Sequence, residues 1–252
     1  MLTPSPDYSP DNARFLADCA RAAYNSGDAL KHDAENLGLV NLLAHSEPST
    51  DTQAFTARIA LHPDLVVAFR GTESLRDWIT DAEFSTQDLG DGAEVHLGFH
   101  QAWMSIRARV MESLPKDKSP VLFTGHSLGG ALATIAAISA VSEGVNVAGV
   151  YTFGQPRVGN SVWAKAYDQA LKNKTWRLVN RQDPVPRMPP ALAGYRHVGN
   201  EVFFDALGER VLNPSLWWKI GSDLLGTIDA LRHRQLAALP NHFMERYIEL
   251  TN

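Results

Sequence analysis

Cysteine is almost absent from this sequence: of 252 residues only Cys19 is a cysteine, which excludes an intramolecular disulfide. A scaffold without crosslinks is typical of a reducing compartment. The N-terminal residues, Met1 to Asp7, have neither the positive segment nor the apolar segment of a secretory signal. We therefore expect a cytoplasmic protein, with a secreted protein whose signal was removed as the alternative.

Clusters of positive charge are also missing. The net charge is −5 at pH 7, and Lys and Arg are not gathered in any one segment. Binding to a phosphate backbone needs a positive face, so we expect no nucleic-acid partner. No spacing of His, Cys and Asp predicts a metal site, and no glycine-rich loop predicts phosphate binding. We therefore expect no metal and no cofactor, and the sequence does not specify an oligomeric state.

One stretch without charge, residues 120–142, is long enough to cross a bilayer. Its first half contains polar residues and glycines, however, and alanine dominates its second half, so we predict no transmembrane segment. Val121 to Phe123 instead predicts a short buried strand, and Leu128 to Val141 predicts a helix of small residues. The rest of the sequence is organised around the turn between these two elements.

That turn, Gly125-His126-Ser127-Leu128-Gly129, matches the pattern G-x-S-x-G between a strand and a helix. In this context the serine is a nucleophile on a sharp, strained turn, and the two glycines remove side chains that would collide with the backbone. The N–H groups that begin the helix at Leu128 point at the place where an oxyanion would form. We predict Ser127 as a nucleophile.

Strands alternate with helices along the chain, which predicts the α/β class with a mainly parallel central sheet and helices on both faces. We expect a single domain over residues 1–252. The predicted strands are Leu39–Ala44, Gln53–Leu61, Leu65–Phe69, Glu94–Phe99, Val145–Phe153 and Trp176–Asn180, and the predicted helices are Asp11–Asn25 (capped by Asp11 or Asn12), Gln101–Leu114, Val162–Lys172 and Phe243–Leu250. Sites in such sheets lie beyond the carboxyl ends of the strands.

A carboxylate follows one of these strand ends. Asp183 lies in a loop that Pro184 and Pro186 make rigid, which suits a residue that orients another side chain. An ordinary Asp-Pro turn is the alternative interpretation of this loop. The second candidate, Asp205, follows a different apolar run and is the weaker choice.

Among nine histidines, His242 has the best position for a general base, because it lies on a loop just before the terminal helix. His233 is the second choice. We interpret His126 as a packing residue of the turn, and His96 and His197 as structural histidines in strand-like segments.

Two further segments have an open interpretation. Leu75, Trp78 and Ile79 lie on one face of a predicted short helix, which is either an ordinary surface helix or a lid over the site. Residues 214–239 contain a broad apolar stripe that we assign to core packing, with lining of an acyl pocket as the alternative.

Six ordered segments resemble the class 3, or fungal-lipase-like, family of the α/β-hydrolase fold. They are Val67–Thr72, Arg76–Ile79, Val95–Phe99, Thr124–Gly130, Phe153–Gly159 and Asn180–Pro186. The resemblance implies Ser127 as nucleophile, Asp183 as acid and His242 as base, with backbone N–H groups of Thr72 and Leu128 as the oxyanion hole. It also implies a lid over about residues 73–84 and an ester or lipid substrate met at a lipid–water interface.

The expected function is therefore a serine carboxylic-ester hydrolase that cleaves acylglycerols or other fatty acyl esters through an acyl-enzyme. A feruloyl or aryl-ester esterase shares every motif named above, so the sequence does not separate it from a lipase. Two more function classes stay open: a hydrolase-fold binding module without turnover, and a serine peptidase or acyltransferase on the same fold.

Overall fold

The computed structural model describes residues 7–72, 84–205, 207–215, 218 and 242–252. The strands among these residues are β1 (Leu39–Glu47), β2 (Thr52–Ile59), β3 (Leu65–Phe69), β4 (Thr86–Asp88), β5 (Glu94–His96), β6 (Val121–His126), β7 (Val147–Phe153), β8 (Gly159–Asn160), β9 (Thr175–Asn180), β10 (Tyr195–Arg196), β11 (Asn200–Phe204) and β12 (Arg210–Leu212). The α-helices are α1 (Pro10–Ala22), α2 (Gly27–Asn36), α3 (Leu97–Ser113), α4 (Leu128–Ser142), α5 (Ser161–Leu171) and α6 (Met244–Thr251).

The central sheet has eight strands in the order β1-β2-β3-β6-β7-β9-β11-β12. The five strands β3, β6, β7, β9 and β11 run parallel, and β1, β2 and β12 add antiparallel edges. The predicted mainly parallel sheet is confirmed. A second sheet, β10-β8-β5-β4, was not predicted. Of its strands only β5 lies within a predicted strand, Glu94–Phe99, and that prediction is too long because α3 already begins at Leu97. The other strands have two or three residues and are too short to show a periodicity.

Helices cover both faces of the central sheet, as predicted. Along β3 the side chains alternate: Val67 and Phe69 face one apolar cluster, and Val66 and Ala68 face the other. The first cluster contains residues of α3, α4 and α5, and the second contains residues of α1, α2 and α6. Burying one large apolar side chain contributes roughly 1.5–3 kcal/mol, so these two layers stabilise the fold without a crosslink.

The uncharged stretch 120–142 lies inside the molecule. All six residues of β6 are buried, and α4 packs most of its length into the first cluster. Of the helices in the described parts of the chain, none has both the length and the apolar character needed to cross a membrane. The strand is longer than predicted, since it continues from Phe123 to His126.

In the N-terminal region one prediction is wrong and one helix was missed. Helix α1 is capped by Ser9, whose Oγ accepts a hydrogen bond from the Asn12 N–H at 3.2 Å, and not by Asp11 or Asn12. Helix α2 was not predicted, because only Leu30 and Ala34 of its ten residues are buried. One buried pair is too weak a pattern to distinguish a helix from a loop.

The strand register brings four loops to one edge of the sheet. Phe69 pairs with Gly125, His126 with Phe153, Phe153 with Leu178, and Phe204 with Asn180. The loops that follow β3, β6, β7 and β9 therefore begin side by side, where the sequence predicted the site.

Candidate active site

Ser127 lies between β6 and α4 in a strained conformation, with φ 57° and ψ −128°. A non-glycine residue with positive φ costs on the order of 1–3 kcal/mol, and such strain occurs where the surrounding structure imposes it. The Ser127 N–H donates to the Phe153 carbonyl at 2.9 Å, and the Gly130 N–H donates to the Ser127 carbonyl at 3.0 Å. The sharp strand-to-helix turn predicted from G-x-S-x-G is therefore present.

The two glycines of the turn are required by close backbone contacts. A Cβ on Gly125 would lie 2.3 Å from the carbonyl carbon and oxygen of Gly129, and a Cβ on Gly129 would lie 2.3 Å from the Phe69 carbonyl oxygen. Both distances are too short for any side chain. The second contact also fixes the start of α4 against the end of β3.

The loop after β3 passes directly beside the turn. A Cβ on Gly71 would lie 3.2 Å from the Ser127 Cβ and 2.8 Å from the His126 carbonyl oxygen. Thr72 follows Gly71, so its backbone runs next to Ser127. Leu128 is the first residue of α4, and the first N–H groups of a helix have no partner inside the helix. These are the two backbone groups that the sequence proposed as oxyanion donors.

Asp183 and His242, which are 59 residues apart in the chain, form a buried hydrogen bond of 2.7 Å between Asp183 Oδ2 and His242 Nδ1. An ionised carboxylate only accepts, so Nδ1 carries the proton in the neutral ring and Nε2 keeps its lone pair. His242 Nε2 is buried and has no hydrogen-bond partner among the described residues. The nitrogen that a general base would use is therefore available.

Tyr247 also binds the Asp183 carboxylate, and the sequence did not predict this. Its hydroxyl donates to Asp183 Oδ2 at 2.6 Å, and the Val185 N–H donates to Oδ1 at 2.8 Å. Burial, followed by the nearby Asp183 charge, holds the pKa of Tyr247 well above its usual value, so the phenol keeps its proton. Tyr247 lies on α6, about one helical turn after His242. In the sequence, only that spacing could have indicated that Tyr247 is close to the site.

Gly154 lies under the Asp–His pair at the end of β7. Its φ is +59°, and a Cβ there would lie 2.8 Å from both Asp183 Oδ2 and His242 Cε1. Glycine is thus needed for the backbone conformation and for the space. The sequence indicated this residue only as part of a loop.

His126 does more than pack. Its ring Nδ1 is 2.7 Å from the Tyr24 hydroxyl, and its Nε2 is 2.5 Å from the His242 carbonyl oxygen. The rings of His126 and His242 lie 4.5 Å apart between centroids. The sequence assigned His126 to packing, and it contained no signal for Tyr24.

The competing candidates lie elsewhere or outside the described residues. The Asp205 carboxylate accepts from the N–H groups of Leu207 and Glu209, which makes it the turn residue between β11 and β12. His96 Nδ1 accepts from the Gly98 N–H at the start of α3, and His197 Nε2 contacts the Pro186 carbonyl at 2.7 Å. His233 lies outside the described residues.

The lid prediction also falls outside the described residues. Leu75, Trp78 and Ile79 belong to residues 73–83, which the structure does not describe. Most of the stretch 214–239 is likewise outside them. The assignments of a lid and of an apolar lining to these two segments stay predictions from the sequence.

Comparison with known proteins identifies the family. The sequence model of the class 3 lipases matches residues 66–193, half of the chain. The chain belongs to the class 3 lipase family. The matched segment contains the serine turn, the loop after β3 and Asp183, and it ends before His242.

Solved structures of relatives share the α/β-hydrolase fold of this chain. MDLA from Penicillium cyclopium is 26% identical with a TM-score of 0.77, covering 94% of this chain and 96% of that one. A triacylglycerol lipase whose catalytic centre is described as a serine protease triad is 27% identical with a TM-score of 0.65, covering 81% and 82%. The predicted family and fold class are confirmed.

The predicted cytoplasmic location is wrong. The secreted mono- and diacylglycerol lipase 1 of Fusarium solani is 39% identical over 163 residues, 62% of this chain and 48% of that protein. The expectation took the single cysteine as the sign of a reducing compartment, but two apolar layers stabilise this fold without a crosslink, so the cysteine count does not decide the compartment. The chain spans about half the length of the curated relatives it matches.

Proposed function

We propose that this member of the class 3 lipase family is a serine carboxylic-ester hydrolase in which Ser127, His242 and Asp183 form the catalytic triad. The observation that carries the proposal is the buried 2.7 Å hydrogen bond from His242 Nδ1 to Asp183 Oδ2, which leaves Nε2 with its lone pair at the same sheet edge as Ser127. The strained turn supplies the third member that nucleophilic catalysis needs, a serine hydroxyl.

In the acylation step, His242 Nε2 takes the Ser127 proton as the hydroxyl oxygen attacks the ester carbonyl carbon. The imidazole becomes positively charged, and the Asp183 carboxylate beside Nδ1 stabilises that charge. Three donors, from His242, Tyr247 and Val185, keep the carboxylate in one orientation throughout. The carboxylate therefore needs no reorganisation when the charge appears.

The tetrahedral oxyanion is proposed to bind to the backbone N–H groups of Thr72 and Leu128. The closeness of Gly71 to the Ser127 Cβ supports Thr72, and the start of α4 at Leu128 supports the second donor. In a related mechanism, removing one such donor lowers kcat roughly 10²–10³-fold. A Thr72→Ala substitution keeps the N–H and should cost less.

Collapse of the intermediate expels the alcohol, which takes its proton from His242. Water then attacks the acyl-enzyme with His242 again as base, and Ser127 is released. The substrate class that we propose is an acylglycerol or another fatty acyl ester, because relatives of this family include mono- and diacylglycerol lipases.

A chain-length series of p-nitrophenyl esters, run with wild type and Ser127→Ala in parallel, tests this proposal. We expect turnover by the wild type and a loss on the order of 10⁶-fold in kcat for Ser127→Ala. Preference for longer acyl chains would support a lipase, and faster turnover of an added p-nitrophenyl ferulate would support a feruloyl-type esterase. Equal turnover by both proteins would reject the triad.

A further inference from the structure

We propose that His126 and Tyr24 are positioning residues for the general base, through a hydrogen-bonded chain from the Tyr24 hydroxyl to His126 and from His126 to the His242 backbone carbonyl. This inference rests on the proposed function, because it assigns a task to His242. It gives a role to a buried titratable side chain next to the nucleophile that the reaction itself does not use.

The partners of His126 fix where its proton lies. The His242 carbonyl oxygen, 2.5 Å from His126 Nε2, can only accept, so Nε2 must carry a hydrogen. In a neutral ring Nδ1 then has a lone pair, and the Tyr24 hydroxyl at 2.7 Å must donate to it. Both hydrogen bonds point the same way, from Tyr24 through His126 to His242, and bonds arranged in this way strengthen one another.

The surroundings keep His126 neutral. It is fully buried, and this burial, followed by the positive charge of a protonated His242, lowers the pKa of His126 well below its usual value. The hydrogen bond to the His242 carbonyl opposes the shift but is the smallest of the three effects. A neutral ring here adds no second positive charge beside His242 when that base takes up a proton.

The chain of hydrogen bonds ties the base to the nucleophile. His126 is covalently joined to Ser127, and it binds the backbone of His242 and also packs on its ring, with centroids 4.5 Å apart and planes 32° apart. Asp183 fixes His242 at the other side of its ring. His242 is thus attached at its ring and at its backbone, and Nε2 is the atom left to reach Ser127.

Tyr24 connects this chain to the loop after β3. A Cβ on Gly71 would lie 2.2 Å from the Tyr24 hydroxyl, so the absence of a side chain at Gly71 leaves the space that the hydroxyl occupies. The same Gly71 lies against Ser127. The hydroxyl therefore lies where the end of α1, the loop after β3 and the serine turn meet.

Two substitutions of His126 test the inference. His126→Gln places an amide N–H near the position of Nε2 and can still donate to the His242 carbonyl, whereas His126→Leu cannot. A displacement of a catalytic group by about 1 Å can lower the rate about 10²-fold. We therefore expect kcat on a p-nitrophenyl ester to fall about 10²-fold in His126→Leu, with KM nearly unchanged. His126→Gln should recover most of that loss.

The matched control is His45→Leu. His45 is also a buried histidine, and its Nε2 contacts Thr56 Oγ1 at 3.1 Å, far from the site on β1. Its removal should lower the free energy of unfolding and leave kcat unchanged. If the role of His126 were purely structural, His126→Leu would show the same result as His45→Leu, a lower free energy of unfolding with an unchanged kcat.

Tyr24→Phe removes one oxygen and is the smaller perturbation. We expect a fall of about 3- to 10-fold in kcat, since one hydrogen bond is lost and the ring keeps its place. The control is Tyr167→Phe, which loses the buried 2.8 Å bond from α5 to Thr175. A second test uses the wild type alone, so it does not depend on whether the His126 variants fold. NMR of the imidazole nitrogens should find the His126 proton on Nε2.

The outcomes separate this inference from the proposed function. A wild type without turnover, or turnover unaffected by Ser127→Ala, rejects the proposed function. An active wild type with full kcat in folded His126→Leu, or with the His126 proton on Nδ1, overturns the inference alone.

Discussion

The substitution Gly154→Ala tests how tightly the Asp–His pair is positioned. The added methyl group would lie 2.8 Å from Asp183 Oδ2 and from His242 Cε1, and 2.9 Å from His242 Nδ1. These contacts are with the two groups that share the central hydrogen bond of the site. The three heavy atoms nearest to that methyl group all belong to this pair.

The size of the effect follows from two costs. Alanine at φ +59° costs about 1–2 kcal/mol in backbone strain. Ordinary van der Waals contact begins at 3.4 Å, so the pair must move by about 0.6 Å from its present 2.8 Å. Catalytic groups need to be held within about 0.5 Å of their productive positions, and a misplacement of 1 Å can lower the rate about 10²-fold. We expect kcat to fall roughly 10- to 100-fold.

The assay is the kcat and KM of p-nitrophenyl ester hydrolysis, with the free energy of unfolding from urea titration. Gly144→Ala is the matched control, because Gly144 has φ +79° and nothing within 4 Å of a Cβ. It carries the backbone strain without the contact. Gly144→Ala should lose about 1–2 kcal/mol of stability, and Gly154→Ala should lose more because it adds overpacking to the strain. Only Gly154→Ala should lose activity.

Full kcat in folded Gly154→Ala would refute the reasoning, since the pair would then tolerate a displacement of this size. An equal loss of activity in Gly144→Ala would refute it as well. That result would attribute the loss to strain and not to contact with Asp183 and His242.

Three further predictions concern side chains around the site and in the core. Tyr247→Phe removes one of three donors to the Asp183 carboxylate, so kcat should fall roughly tenfold and the free energy of unfolding by about 1.5–3 kcal/mol; an unchanged kcat would show that the other two donors suffice. His126 takes up a proton more readily in the unfolded chain than in the folded protein, so stability should decline as the pH falls below the ordinary pKa of 6.5. In His126→Gln that slope, measured by urea unfolding at several pH values, should be smaller by up to about 1.4 kcal/mol per pH unit, and an identical slope would contradict the assigned shift. Cys19 is fully buried and burial raises the pKa of its thiol, so a thiol reagent should react only after unfolding; rapid reaction with the native protein would contradict this.

The parts of the fold that the sequence predicted well are those with long buried elements. Strand β3 was predicted with its observed bounds, because all five of its residues are apolar and buried. Helix α4 was predicted to within one residue of its end. Short elements and elements with few buried residues, such as β4, β8, β10 and α2, left no periodic pattern to find.

The three predicted triad residues share one property: each lies at the end of a predicted strand or in a loop before a predicted helix. That rule placed Ser127, Asp183 and His242 close enough in expectation to be proposed together. The residues around them could not be found in the same way. Tyr247 reaches the site from α6 and Tyr24 from the turn after α1, and their hydroxyl contacts depend on side-chain direction in three dimensions.

His126 illustrates most clearly what a motif leaves out. Its place within the serine turn indicated a packing role, and its ring is indeed buried. Its hydrogen bond to His242 spans 116 residues of sequence, however. Only the meeting of the serine turn with the loop before α6 creates that contact.

Labelling with a fluorophosphonate, followed by peptide mass spectrometry, tests the central claim most directly. The reagent forms a covalent bond with a serine that a neighbouring base has activated. We predict a single adduct on Ser127, formed at a rate that falls sharply in His242→Ala. An adduct on another serine, or labelling of Ser127 at the wild-type rate in His242→Ala, would contradict the claim that these residues act together.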